Sequence, residues 1–178
     1  LPVVRSQLLE ALSSSLDECM NMTSDTSRKQ AEKMICDFKI PQLCLSYCQS
    51  EAVSQAAFDL YENVVLPLPN EVLGGLLLSD KSSLVTLFSL VTGQNNCIPD
   101  VEHSKQTFAS TLGNLATAGL LGSAVERFGV RNHAIAALCS VIEGSQDGTI
   151  DESEDSLPRI CIESLAVILF SDNQQDTS

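Results

Sequence analysis

The stretch Cys36–Val65 reads CDFKIPQLCLSYCQSEAVSQAAFDLYENVV. Pro41 opens a helix, with Ile40, Leu43, Cys44 and Tyr47 at i, i+3, i+4 and i+7, the spacing of one helical face. Ser50 is a suitable N-cap for a second helix, which sets Val53, Ala56, Ala57, Leu60 and Val64 on one stripe. Pro67 and Pro69 end it, because proline lacks an amide donor and restricts the residue before it. Two amphipathic helices thus meet at a short polar joint. The same pattern recurs twice downstream, so the chain reads as a stack of such units.

Working outward, residues 2–21 read as a helix with Leu9, Leu12, Leu16, Cys19 and Met20 on one face. Asp25 or Thr26 can cap the next, over 27–37, with Ala31, Met34 and Ile35 inward. Beyond Pro69, a short helix spans 70–78 despite Gly74 and Gly75. Asp80 caps a helix carrying Leu84, Leu87, Phe88 and Val91. An Asn-rich loop follows, and Asp100 or Ser104 starts a longer helix with Phe108, Leu112, Leu115 and Ala116. Gly119 stops it. A short helix over 120–128 reaches Gly129, a joint where positive φ is expected. The helix 130–143 buries Ala134, Ala137, Leu138, Val141 and Ile142. Ser156 and Pro158 restart a last helix, with Ile162, Leu165, Ala166 and Leu169 inward, before a polar tail over 171–178.

Composition agrees with an all-α reading. Hydrophobic residues make up 44% of the 178, enough for a continuous core, while aromatics are 4% and alternating β-branched runs are scarce. The net charge of −13, with ten scattered Lys and Arg, disfavours binding to nucleic acid or to an anionic membrane and suits a basic or neutral protein partner. No apolar run approaches the ~20 residues of a membrane helix, so no membrane insertion is expected. No signal peptide is visible at residues 1–20, which carry Glu10, Asp17 and Glu18. The chain opens at Leu1 and is expected to be a piece of something longer. Seven cysteines, most at apolar helical positions, read as free buried thiols in a reducing compartment, cytoplasmic with the nucleus as alternative. Asn21-Met22-Thr23 is read as a chance glycosylation acceptor.

The longest helices, near 2–21, 51–66, 102–118 and 156–170, are each separated by two shorter ones. The order short, medium, long repeats over 27–66, 69–118 and 120–170, and residues 1–22 read as the last helix of a partial repeat within a single helical domain, 1–178. Units of about 40–50 residues are the size of stacked helical repeats.

At this point the residues resemble the armadillo family. The match is best at Ala124-Val125-Glu126-Arg127-Phe128-Gly129-Val130, followed by Ala134, Ala137 and Leu138. Ile40-Pro41-Gln42-Leu43 is similar to the same second-helix opening, with Lys39 where glycine is expected. Ala56 to Leu60 and Leu112 to Ala116 are similar to the third helix. HEAT-type repeats are the close competitor. The resemblance covers about 150 residues and implies a right-handed α-solenoid of three-helix repeats. It also implies that the third helices line a concave groove, where an aromatic and an Asn four residues apart hold an extended peptide. Carried over, those positions are Phe58 and Glu62, Ser110 and Asn114, and Glu163 and Val167. Only Phe58 and Asn114 keep the family's residue type. Asp59, Glu62 and Glu163 would give the groove carboxylates suited to a basic segment; a plain solvated face is the alternative.

No motif proposes catalysis: there is no phosphate loop, Gly-x-Ser-x-Gly elbow or His-Glu-x-x-His. Cys36, Cys44 and Cys48 lack zinc spacing and read as core residues, so neither cofactor nor metal is expected. The acidic run Asp147–Asp155 lacks calcium-loop spacing and reads as a flexible insertion, with Ser153 and Ser156 as speculative phosphorylation targets. The function expected is a non-catalytic protein-binding scaffold. Two alternatives stay open: a small-GTPase regulator (exchange factor or chaperone), by analogy of fold, and a structural subunit of a larger assembly.

Overall fold

The structure of the chain is a computed structural model, and it describes residues 2–22, 24–144 and 156–170. The acidic run 147–155 and the tail 171–178 lie outside the described residues. Among the described residues the chain is all-helical, with ten helices and no strand. In order these are α1 (Pro2–Asn21), α2 (Asp25–Asp37), α3 (Ile40–Cys48), α4 (Ser54–Leu60), α5 (Asn70–Leu77), α6 (Lys81–Val91), α7 (Val101–Thr117), α8 (Leu121–Phe128), α9 (Arg131–Gly144) and α10 (Leu157–Phe170). A π-helical segment, Tyr61–Val65, continues α4 without a break.

Local chemistry sets several ends. Asp80 caps α6: its Oδ1 accepts the Ser83 N–H at 2.9 Å and its Oδ2 accepts the Ser83 hydroxyl at 2.8 Å. Asp100 caps α7 by accepting the His103 N–H at 3.0 Å. Gly129 ends α8 at φ 61°, ψ 39°, the left-handed conformation expected there. Lys39, between α2 and α3, adopts nearly the same geometry, φ 51° and ψ 45°, although it carries a Cβ. The middle joint differs: Asp80 is extended, at φ −142°.

Other expectations are corrected. Neither Asp25 nor Thr26 caps α2; the helix starts at Asp25, with Ser24 at the N-cap position making no side-chain bond. Ser50 does not cap α4, because residues 51–53 form a turn and α4 starts at Ser54. The reason is tertiary. The Ser54 hydroxyl donates to the Cys97 carbonyl at 2.8 Å, and the Cys97 N–H donates to the Cys48 carbonyl at 3.1 Å. The loop before α7 therefore fixes the α3–α4 joint from outside. The helix expected over 51–66 also widens at its end, where the Leu66 N–H reaches the Tyr61 carbonyl at 2.9 Å. Met34, expected inward, is exposed, as are Ile162, Ala166 and Leu169. Among the described residues α2 packs mainly on α1 and α3, and its buried stripe narrows to Ala31 and Ile35. The short–medium–long order holds for α5, α6 and α7 at 8, 11 and 17 residues. In the first pass α2 has 13 residues against 9 in α3, and in the third α9 and α10 both have 14.

One hydrophobic cluster runs from Leu9 in α1 to Ile168 in α10. The middle helices pack in succession, α3 on α6 and α6 on α9. Among the last helices of each pass, α1 lies against α4, and α7 against α10. Gly113 in α7 lets α10 come close, since a Cβ there would run into the Leu157 side chain. The C-terminal end of α5 is held from both sides. Gln42 of α3 donates to the Leu76 carbonyl at 2.7 Å, and the Arg127 guanidinium of α8 donates to the Leu78 carbonyl. These bonds satisfy carbonyls that a helix end leaves open.

Candidate functional site

The candidate residues belong to the last helices of the three passes, and two of them, Phe58 and Glu62, meet side chains of α7 at the boundary between the first and second passes. On α7, His103, Thr107 and Thr111 recur every four residues and share one face. Facing them are Phe58 from α4 and Tyr61 and Glu62 from the π-helical segment. His103 Nε2 lies 2.7 Å from Glu62 Oε1, and the Thr107 hydroxyl donates to the same oxygen at 3.2 Å. The Tyr61 and Thr111 hydroxyls are 2.8 Å apart in the core. Phe58 meets His103 edge-on at 5.5 Å and Phe108 at 5.8 Å. Large side chains therefore fill this boundary, topped by a polar row that runs to the surface.

Of the six candidates, Phe58 is 2% exposed and belongs to the core. A partner could not reach it, which corrects the expectation of a groove aromatic. The physical reason is that α4 is covered by α1, α3 and the aromatic side chains of α7, so its burial extends beyond one stripe. Glu62 is one-third exposed and is occupied by His103 and Thr107. Asp59 is half-buried and accepts from Gln55 Nε2 at 2.7 Å. Ser110 and Asn114 are half-buried, one turn apart on α7; the Ser110 hydroxyl donates to the Gln106 carbonyl at 2.9 Å. Glu163 is exposed on α10 and pairs with Arg159 at 3.2 Å. Among the described residues, no hydrogen bond joins Ser110, Asn114 or Glu163 to Asp59 or Glu62. Val167, the other position carried over on α10, is exposed as well.

His103, Thr107, Thr111 and Tyr61 were not singled out from sequence. The available signal was the four-residue spacing of polar side chains beside the apolar stripe Phe108, Leu112 and Leu115. Polar residues flanking an apolar stripe mark its boundary.

The three buried thiols are all held in their protonated form. Burial pushes the Cys48 thiol up to about 12, with the Asp59 charge adding to it, and Cys161 up to about 11. Burial raises Cys44 further still, reinforced by Cys48. Tyr61 is also raised by burial, against a smaller opposing effect from its bond to Thr111. Glu62 and His103 form a carboxylate–imidazole pair, but no serine or cysteine among the described residues bonds to the imidazole, and the Thr107 hydroxyl is spent on Glu62. As built, the pair ties α7 to the π-helical segment. Among the described residues there is no group of three or more His, Cys, Asp or Glu that could hold a metal ion. No single described helix is long and apolar enough to cross a membrane.

Two grooves lie elsewhere. A cavity of about 340 Å³ opens between α8 and α10, floored by Leu121, Val125 and Ile168 and edged by Val167, Glu126 and Arg131. Ser110 lines a second, of about 310 Å³, with Gln106, Ser140 and Val141. Comparison of the chain with family models, curated proteins and solved structures finds no match.

Proposed function

We propose that the chain is a non-catalytic protein-interaction scaffold, a right-handed α-solenoid of armadillo-like three-helix repeats that binds a basic or neutral protein segment on the concave face lined by its last helices. The observation that carries this reading is the packing order, with α3 on α6 on α9 and with α1 on α4 and α7 on α10. Middle helix packs on middle helix and, in these two pairs, last on last, as in a stack whose neighbours bury a shared core. The matching left-handed joints at Lys39 and Gly129 support equivalent helix turns in the first and third passes. With Phe58 assigned to the core, the accessible positions are Asp59, Ser110, Asn114 and Glu163, together with Glu62, whose Oε1 is already engaged by His103 and Thr107. Buried thiols suit a reducing compartment, the cytoplasm or the nucleus.

The test is affinity capture of partners by the full-length protein, wild type against the combined variant Asp59→Lys, Ser110→Arg, Asn114→Ala, Glu163→Lys. These side chains are exposed or half-buried, so the variant should keep its melting temperature within a few degrees. Loss of the captured partner from this variant supports the groove. Undiminished capture rejects it.

A second reading, a structural subunit of a larger assembly, is favoured by the two outermost helices. Val3, Val4 and Leu8 on α1 and Ile162, Val167 and Leu169 on α10 are between 41% and 68% exposed. Solvated faces of this kind are commonly covered in assemblies. Val4→Ser with Leu8→Ser should improve solubility of the isolated chain while weakening its incorporation into the parent complex. Unchanged incorporation would count against this reading.

A further inference from the structure

We draw no further inference here: the strongest candidate, the apolar outer face of α10 with the groove it forms against α8, is an unpartnered surface, and nothing in the structure shows what covers it.

Discussion

At Lys39 and at Gly129 the backbone turns the same left-handed corner between two helices, with φ 51° in one case and 61° in the other. Only the second residue is suited to it. For an L-residue this conformation costs about 1–2 kcal/mol, which glycine avoids. The first pass accepts that strain because its surroundings hold it. Ile40 and Pro41 are buried directly after the joint, and the charge of Lys39 acts on the Asp80 carboxylate at the start of α6. The passes also differ in how they are sealed. The first meets its neighbour through Phe58, Tyr61 and the Glu62–His103 pair, whereas the third is joined at Gly113 and Leu157 and leaves Val167 in solvent.

The largest expected effect separates these seals. Phe58→Ala should cost about 3–5 kcal/mol, the range for deleting a buried aromatic. Val167→Ala, at an exposed position, should stay within about 0.5 kcal/mol. Denaturant midpoints of the two variants check this, and similar losses would erase the contrast. Next, Tyr61→Phe should destabilise by about 1–2 kcal/mol, because the buried Thr111 hydroxyl loses its partner while keeping only a long 3.3 Å bond to the Thr107 carbonyl. Thermal unfolding with Thr111→Val in a double-mutant cycle isolates that bond.

The joints themselves give an opposed pair. Gly129→Ala should cost about 1–2 kcal/mol. Lys39→Gly should be neutral to stabilising by about 1 kcal/mol, the relieved strain being partly offset by greater freedom of the unfolded chain. If Lys39→Gly destabilised as much as Gly129→Ala, the two corners would not be equivalent.

The smallest effect concerns pH. Burial alone would raise the Asp80 carboxyl, but the Ser83 amide and hydroxyl, the Ser82 amide and the Lys39 charge outweigh it and hold it below its ordinary value. A carboxylate lowered on folding stabilises the fold above its unfolded value, and that contribution is lost as pH falls through the folded one. Asp80→Ala should therefore cost about 1 kcal/mol at neutral pH. The gap from wild type should narrow once pH drops below the unfolded value of 3.8. A gap that widened in acid would contradict this sign.

What was legible in the sequence was local. The Asp80 and Asp100 caps, the Gly119 and Gly129 stops and the apolar stripe from Val53 to Val64 depend on neighbours within four residues, and all are found. What was not legible came from across the fold. Ser50 lost its capping role to contacts from Cys97, more than forty residues away. Lys39 adopts a glycine-like conformation that its own chemistry disfavours, and the only hint of it was the resemblance, which expects glycine at that position. The widened turn at Tyr61 contains neither proline nor glycine to announce it. Phe58 entered the candidate site through the resemblance, whereas aromatic neighbours on α7 put it in the core. The pairing of Glu62 with His103 joins two passes and left no pattern within either.

The most direct measurement is carboxyl footprinting of the protein bound to its captured partner. The account predicts that Asp59 and Glu163, on the last helices of the first and third passes, lose reactivity together. Glu71 on α5 and Glu126 on α8 should keep theirs. Protection confined to Glu71 and Glu126, with Asp59 and Glu163 still reactive, would contradict it.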